Sequence, residues 1–316
     1  MISSPIIPLE ILFEAVSHVS SVRTLLSLCL TSKAVSNEAS RHLYFDLSDH
    51  RFTSLKRHLK VLEAITANPT LASFIGAYAI KFRHEGQDSE VERFWAMLPQ
   101  GLYLMTNLEY LLVTTRILTP SSYSMFDSVR FQLKRFCWWN GAYGVEMDEK
   151  VAAFLATQHR IRWLCMNDDL SCIFPPSACR SVKTLEGSLA TFTQVLPGRP
   201  SITQLMHVAP SDAEKEHNTL WDHDATFPEF ERITHLTIDW SDDVFQSWYR
   251  QLPDDSFSSV GVLQVCKSAR TLDVRDLSSY PRIINFLTYN SVRGCALHDK
   301  TTSLPQNFGA VAGHKM

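Results

Sequence analysis

The chain has 316 residues and a mass of 36.0 kDa, with 45% hydrophobic, 11% aromatic and 20% charged residues. That composition supplies enough apolar surface to offset ordering entropy, which excludes a largely disordered chain, and the length suits two domains or one elongated one. Thirty Lys and Arg against 33 Asp and Glu leave a net charge of −3, which excludes a protein built around a strong nucleic-acid or membrane field.

The first fifty residues predict three short helices. Pro8 opens the first, where its missing N–H is harmless, and Glu10 suits the positive end of the helix dipole. Ile11, Leu12, Ala15, Val16 and Val19 recur at helical spacing and define one apolar face. Ser20 and Ser21 interrupt the pattern and can cap a second helix. Val22, Leu25, Leu26, Leu28, Cys29 and Leu30 are apolar almost all round, so that second helix is expected to be buried on several sides. Thr31-Ser32-Lys33 breaks it. Val35, Ala39 and Leu43 mark a third helix, and Tyr44-Phe45-Asp46-Leu47 is expected to leave in extended form. Three short helices cannot close a strong core alone. They need either a docking partner or a following domain that they cap.

The ordered set Ile7-Pro8-Leu9-Glu10-Ile11-Leu12, Leu25-Leu26-Ser27-Leu28, Leu30-Thr31-Ser32-Lys33 and Leu43-Tyr44 resembles the F-box, over roughly residues 5 to 47. Three places depart from that family's pattern. Ile7 stands for the usual Leu, Thr31 for Val, and Ala34-Val35 where an aromatic residue often comes next. The resemblance implies docking on the Skp1 adaptor of a cullin-RING ubiquitin ligase. It implies interface roles for Pro8, Leu9, Ile11 and Leu12, with Leu25, Leu28, Ser32 and Lys33 from the next two helices. An apolar helical face laid into a groove gives affinity without chemistry.

From about residue 50 the pattern changes. Leu55, Leu59, Leu62 and Ile65 predict a helix ending before Asn68-Pro69. Short extended frames then recur with apolar residues at places one, four and six. They read Ala77/Ile80/Phe82, Leu108/Leu111/Val113, Leu133/Phe136/Trp138 and Ile161/Leu164/Met166. Val182/Leu185 with Gly187, and Ile202/Leu205 with His207, are weaker. Ile233/Leu236/Ile238 comes next, and Val292/Cys295/Leu297 is the last candidate. Between them, Val260/Leu263/Val265 and Ala269/Leu272/Val274 remain equal alternatives. The steps are 31, 25, 28, 21, 20 and 31 residues up to Ile233.

Helical patterns fall between the frames. Ser89-x-x-Glu92 reads as a capping box ahead of Val91, Phe94, Trp95 and Leu98. Asp148 can cap Val151, Phe154 and Leu155. Ser188 precedes Leu189, Phe192, Val195 and Leu196. Asp242 precedes Val244, Phe245, Trp248, Tyr249 and Leu252, and Ile283, Ile284 and Leu287 make a last face. Leu-x-x-Leu-x-apolar frames at such steps resemble leucine-rich repeats. The whole chain is similar to fungal F-box proteins with degenerate leucine-rich repeats. The expected fold is an α/β repeat: an F-box-like module over 1–48, an irregular leucine-rich-repeat solenoid over 49–298, and a disordered tail over 299–316.

Motifs for chemistry are scarce. There is no G-x-G-x-x-G, P-loop, G-x-S-x-G or H-E-x-x-H, so no cofactor, metal or catalytic residue is expected. Seven cysteines are scattered at 29, 137, 165, 172, 179, 266 and 295, mostly in apolar runs. They read as reduced, buried thiols, and Cys165, Cys172 and Cys179 lack zinc-knuckle spacing. His217 to Asp224 and Asp239 to Asp243 are polar clusters better explained as a solvated loop and a helix cap. An enzyme would need His223 and Asp239 to converge. Met1 to Leu12 carries no basic residue before its apolar stretch, and no window approaches a membrane span. The cytoplasm or nucleus is the expected place.

Strand parity turns Trp139 to the opposite face from Trp138. Tyr110, Arg135, Trp139, Arg162, Lys183 and His235 then form a candidate target-binding row, the plainer reading being a mixed solvent face. The expected function is a non-catalytic substrate receptor that binds Skp1 and its cullin complex at one end and an unknown target protein along the repeats. The alternative is a repeat scaffold whose first helices only cap the rest.

Overall fold

Three helices open the chain in the structure, a computed structural model that describes residues 7–48, 54–82, 88–114, 117–139, 145–166, 174–175, 178–207, 229, 232–239, 271–275 and 296–299. They are α1 (Leu9–Ser17), α2 (Val22–Leu28) and α3 (Lys33–Phe45). Pro8 stands just ahead of α1, where no donor is lost. The Thr24 N–H donates to the Ser21 hydroxyl at 3.3 Å, capping α2. The Val35 N–H donates to the Ser32 hydroxyl at 3.4 Å, capping α3. Val16, Leu25 and Ala39 form the core of this module, with Val19, Leu28, Cys29, Val35 and Leu43 packed on it.

That core is narrower than the sequence pattern suggested. Only Leu25 of α2 is buried, while Val22, Leu26 and Leu30 are exposed. On α1 the inward stripe is Leu12, Phe13 and Val16, continued by Val19 just beyond its end, and Ile11 and Ala15 face outward. The reason is geometric. A helix packed against one neighbour covers one stripe, however apolar its other sides are.

The chain divides into two compact units, residues 1–132 and 133–316. The expected boundary at residue 48 falls inside the first. There, α3 leads straight into β1 (Asp46–Leu47), which pairs in parallel with β2 (Ala77–Ile80). Helices α4 (Leu55–Ala67) and α5 (Pro69–Phe74) lie between them, and α6 (Asp88–Leu104) leads to β3 (Tyr110–Val113), parallel to β2. Leu55, Leu59, Leu62 and Ile65 bury one face of α4 against α6. Val91, Phe94, Trp95, Leu98 and Leu102 bury the face of α6. Gly101 admits Leu62 where a β-carbon would collide with it. His58 is also buried here, with Nδ1 3.0 Å from the Tyr78 hydroxyl and Nε2 3.4 Å from the Lys81 carbonyl.

Two local expectations change in this unit. β2 pairs Ala77 with Tyr110, so the first frame is Ile75/Tyr78/Ile80, all fully buried, and not Ala77/Ile80/Phe82. Both readings put apolar residues at the right spacing, and only the pairing separates them. Helix α6 already includes Asp88, so Ser89 lies within its first turn. Glu92 accepts a hydrogen bond from Ser121 instead of closing a capping box.

The second unit holds β4 (Arg135–Trp138), α7 (Val145–Thr157), β5 (Trp163–Met166), β6 (Thr184–Gly187), α8 (Leu189–Val195), β7 (Gln204–His207), β8 (His235–Asp239), β9 (Thr271–Arg275) and β10 (Ala296–Asp299). Each strand pairs in parallel with the next in sequence, from β4 to β10. First-place residues Leu133, Ile161, Val182, Ile202 and Ile233 are buried, as are fourth-place Phe136, Leu164, Leu185, Leu205 and Leu236. Ser188 caps α8 through the Thr191 N–H at 3.1 Å. Asp148 lies inside α7 and does not cap it, although Val151, Phe154 and Leu155 are buried as expected.

β9 selects the Ala269/Leu272/Val274 alternative. In β10, Leu297 pairs with Leu272 and so holds the fourth place, not the sixth. The helices expected after Asp242 and near Ile283, and residues 300–316, lie outside the described residues. Among the described residues the architecture is α/β, and within each unit the strands pair in parallel. Among the described residues no helix is long and apolar enough to cross a membrane.

Candidate functional site

Two surfaces carry the residues singled out in the sequence. The first is the outer side of α1 and α2. Leu9 is 50% and Ile11 61% exposed, and Pro8 and Lys33 are also exposed. Leu12 and Leu28 are half-buried. Ser32 is held as the cap of α3. Leu25 belongs to the module's core and is closed to any partner.

The residues missed here are Ile7, Val22, Leu26 and Leu30, all exposed. Val22 and Leu26 stand four apart and so share one helix face. Six of the eight large exposed hydrophobics among the described residues thus fall between Ile7 and Leu30. The signal was present in sequence: a helix apolar on every side, in a module too small to cover it. Scattered exposed apolar residues are ordinary, but such a concentration on and beside α1 and α2 makes this a candidate interaction surface.

The second surface is one face of the sheet in residues 133–316. Phe136 and Trp138 point to the buried side, Trp138 being 2% exposed, and Arg135, Cys137 and Trp139 alternate to the other, Trp139 being 38% exposed. Pairing register extends the row from Arg135 through Trp163, Thr184 and Gln204 to His235. The Arg135 guanidinium sits 4.9 Å over the Trp163 ring. The Trp163 indole N–H donates to Glu186 at 3.0 Å, and the Thr184 hydroxyl donates to Gln204 at 2.8 Å. His235 is exposed and lies 2.9 Å from the Thr234 hydroxyl.

Arg162 and Lys183 are exposed but stand one residue ahead of β5 and β6, out of this row. Their backbones continue the ladder, with Arg162 N–H donating to Lys134 and Lys183 N–H to Arg162, each at 2.9 Å. Because strand side chains alternate, a slip of one place changes the row. Tyr110 is half-buried on β3 of the first unit.

No family model and no curated protein matches this chain. The functional reading therefore rests on its own residues.

A second line of residues lies on the same sheet face. Cys137 pairs in register with Cys165, and Cys165 with Glu186. The Trp139 indole N–H donates to the Cys165 sulfur at 2.7 Å. Burial first, then the Cys137 thiol and the Glu186 carboxylate, push the Cys165 thiol above its ordinary range, while the Trp139 N–H opposes them. Cys165 is therefore a protonated thiol at neutral pH and a poor first target for an oxidant. Among the described residues no group of three or more His, Cys, Asp or Glu could hold a metal ion. His223 and the 217–224 cluster, like Asp242 and Asp243, lie outside the described residues.

Proposed function

We propose that this chain is a non-catalytic substrate-receptor subunit of an SCF-type ubiquitin ligase, working in the cytoplasm or nucleus. In this reading α1 to α3 dock on Skp1, and the sheet face of residues 133–316 holds a target protein. The observation that carries it is the exposed apolar set Ile7, Leu9, Ile11, Val22, Leu26 and Leu30 on a three-helix module with a minimal core. Buried in a partner's groove, side chains of this type contribute roughly 1.5–3 kcal/mol each before the costs of association. A degenerate leucine-rich-repeat solenoid behind the module is supported by the buried first and fourth frame places and the strictly sequential parallel strands. Ubiquitin transfer would then be accelerated by proximity, with the chemistry done by other subunits.

A pull-down with purified Skp1 tests the docking. Leu9→Asp/Ile11→Asp changes two exposed side chains and is expected to leave the fold intact. It is expected to weaken Skp1 retention at least about tenfold. Equal retention of variant and wild type would sink the docking claim. A second reading, a scaffold whose first helices only cap the rest, is favoured by the seam between α3 and β2. There the Gly76 N–H donates to the Phe45 carbonyl at 2.9 Å, and β1 joins β2. That reading predicts no retention of Skp1 by the wild type.

A further inference from the structure

Cys137 and Cys165 face one another across two parallel strands. They are register partners on β4 and β5. Paired parallel strands run about 4.8 Å apart, inside the roughly 4.4–6.8 Å between α-carbons that a disulfide spans. Both residues hold the fifth frame place, so both side chains leave the same face of the sheet and run side by side. The Cys137 thiol is close enough to help push the Cys165 thiol up from its ordinary range. Access to the two differs. Cys137 is half-buried, whereas Cys165 is 1% exposed beneath the Trp139 indole.

We propose that Cys137 and Cys165 are a reversible oxidation site, closing a disulfide between β4 and β5 when a hydroperoxide reaches the accessible Cys137. Cys137 sulfur attacks the peroxide O–O bond, giving a sulfenic acid and releasing an alcohol, or water when the oxidant is hydrogen peroxide. The Cys165 sulfur then forms the S–S bond, and the sulfenic hydroxyl leaves with the Cys165 proton as water. Two thiols lose two electrons and two protons in all, and the peroxide is reduced. Side-by-side strands hold the β-carbons farther apart than the roughly 3.8 Å of a relaxed disulfide, so the bridge is one that thiols reopen readily. The site is independent of the Skp1 reading, since no residue of α1 to α3 takes part. It lies among Trp139, Trp163, Arg135 and Glu186, so its oxidation state changes the surface that those residues present.

The test treats the full-length protein with hydrogen peroxide, blocks remaining thiols, and maps peptides without reduction. The expected product has lost two hydrogen atoms and links the peptides of Cys137 and Cys165. Dithiothreitol is expected to reverse it, together with a drop in tryptophan emission from Trp139. Cys137→Ser, at a half-buried position, should remove both the link and the emission change while keeping the fold. The proposal is overturned if Cys137 oxidises to the sulfinic acid with Cys165 still free. It is equally overturned if the link joins other cysteines, or if no link forms.

Discussion

Cys179 sits at φ 62°, a left-handed backbone that residues other than glycine enter at a cost. It is 1% exposed, and burial pushes its thiol up from 9.0 to about 12, with the Arg199 guanidinium pulling back. Arg199 itself is 2% exposed and has its ordinary pKa lowered by burial. It donates to the carbonyls of Val195 at 2.6 Å, Pro197 and Pro175 at 2.9 Å, Ala178 at 3.0 Å and Phe174 at 3.4 Å. Those bonds fix the turn that carries Cys179. Tyr78 and Cys165 are shifted upward by burial in the same way. All three folded-state values lie above their unfolded ones. Below about pH 9 both states keep these protons, and above it the unfolded chain releases them first. Stability is therefore expected to hold at neutral pH and to fall from about pH 9 upward, through the window that ends near 12 for Cys179. Thermal melts across that range check it, and Cys179→Ala should flatten part of the fall. A melting temperature independent of pH up to about 11 would contradict it.

At the scale of elements, the weak frame Val182/Leu185/Gly187 has a physical cause. The Met166 carbonyl presses where a Gly187 β-carbon would stand, and the Thr191 hydroxyl donates to that same carbonyl at 3.3 Å. No apolar side chain fits the sixth place. Gly187→Val is expected to destabilise the protein by about 1–3 kcal/mol through overpacking, read as a lower urea midpoint. A neutral result would mean that β5, β6 and α8 are packed more loosely than they look.

The frames from Leu108 to Ile233 were legible in sequence because their buried places are almost all occupied by large apolar residues. The errors have two sources: at Ala77 a second register was equally apolar, and at Leu297 the pairing takes Gly294/Leu297/Asp299 over the more apolar Val292/Cys295/Leu297. Arg162 and Lys183 were assigned to the sheet-face row by strand parity counted from the frames, one residue away from Trp163 and Thr184, which the pairing puts there. The clustering of Arg135, Trp163 and Glu186 was not legible, because it depends on cross-strand register. In α2 the pattern said how apolar the helix is, but not which sides its neighbours cover.

At the scale of the molecule, apolar burial is unevenly spread. The module of α1 to α3 rests on Val16, Leu25 and Ala39, whereas α4 and α6 bury nearly whole faces. Regions with few buried contacts open at lower free energy. Hydrogen exchange is expected to be faster in α1 and α2 than in α4 and α6, and the proposed docking further predicts that it slows in α1 and α2 when Skp1 is added. Equal protection in all four helices would contradict the first expectation. The change of period near residue 50 marks where three helices give way to alternating helices and strands, but both stretches lie in the first compact unit. The division at residue 132 was not visible in the sequence, because the helix–strand alternation runs on through it.

The sequential order of β4 to β10 also bears on synthesis. Each strand finds its partner in the stretch made just before it, roughly twenty to thirty-five residues back, so loop-closure entropy stays modest at every step. A chain emerging from the ribosome can seat β5 on β4 before β6 exists, and β7 on β6 before β8. Stalled or shortened products that end after β7 are therefore expected to retain the earlier strands, with β7 left as an open edge.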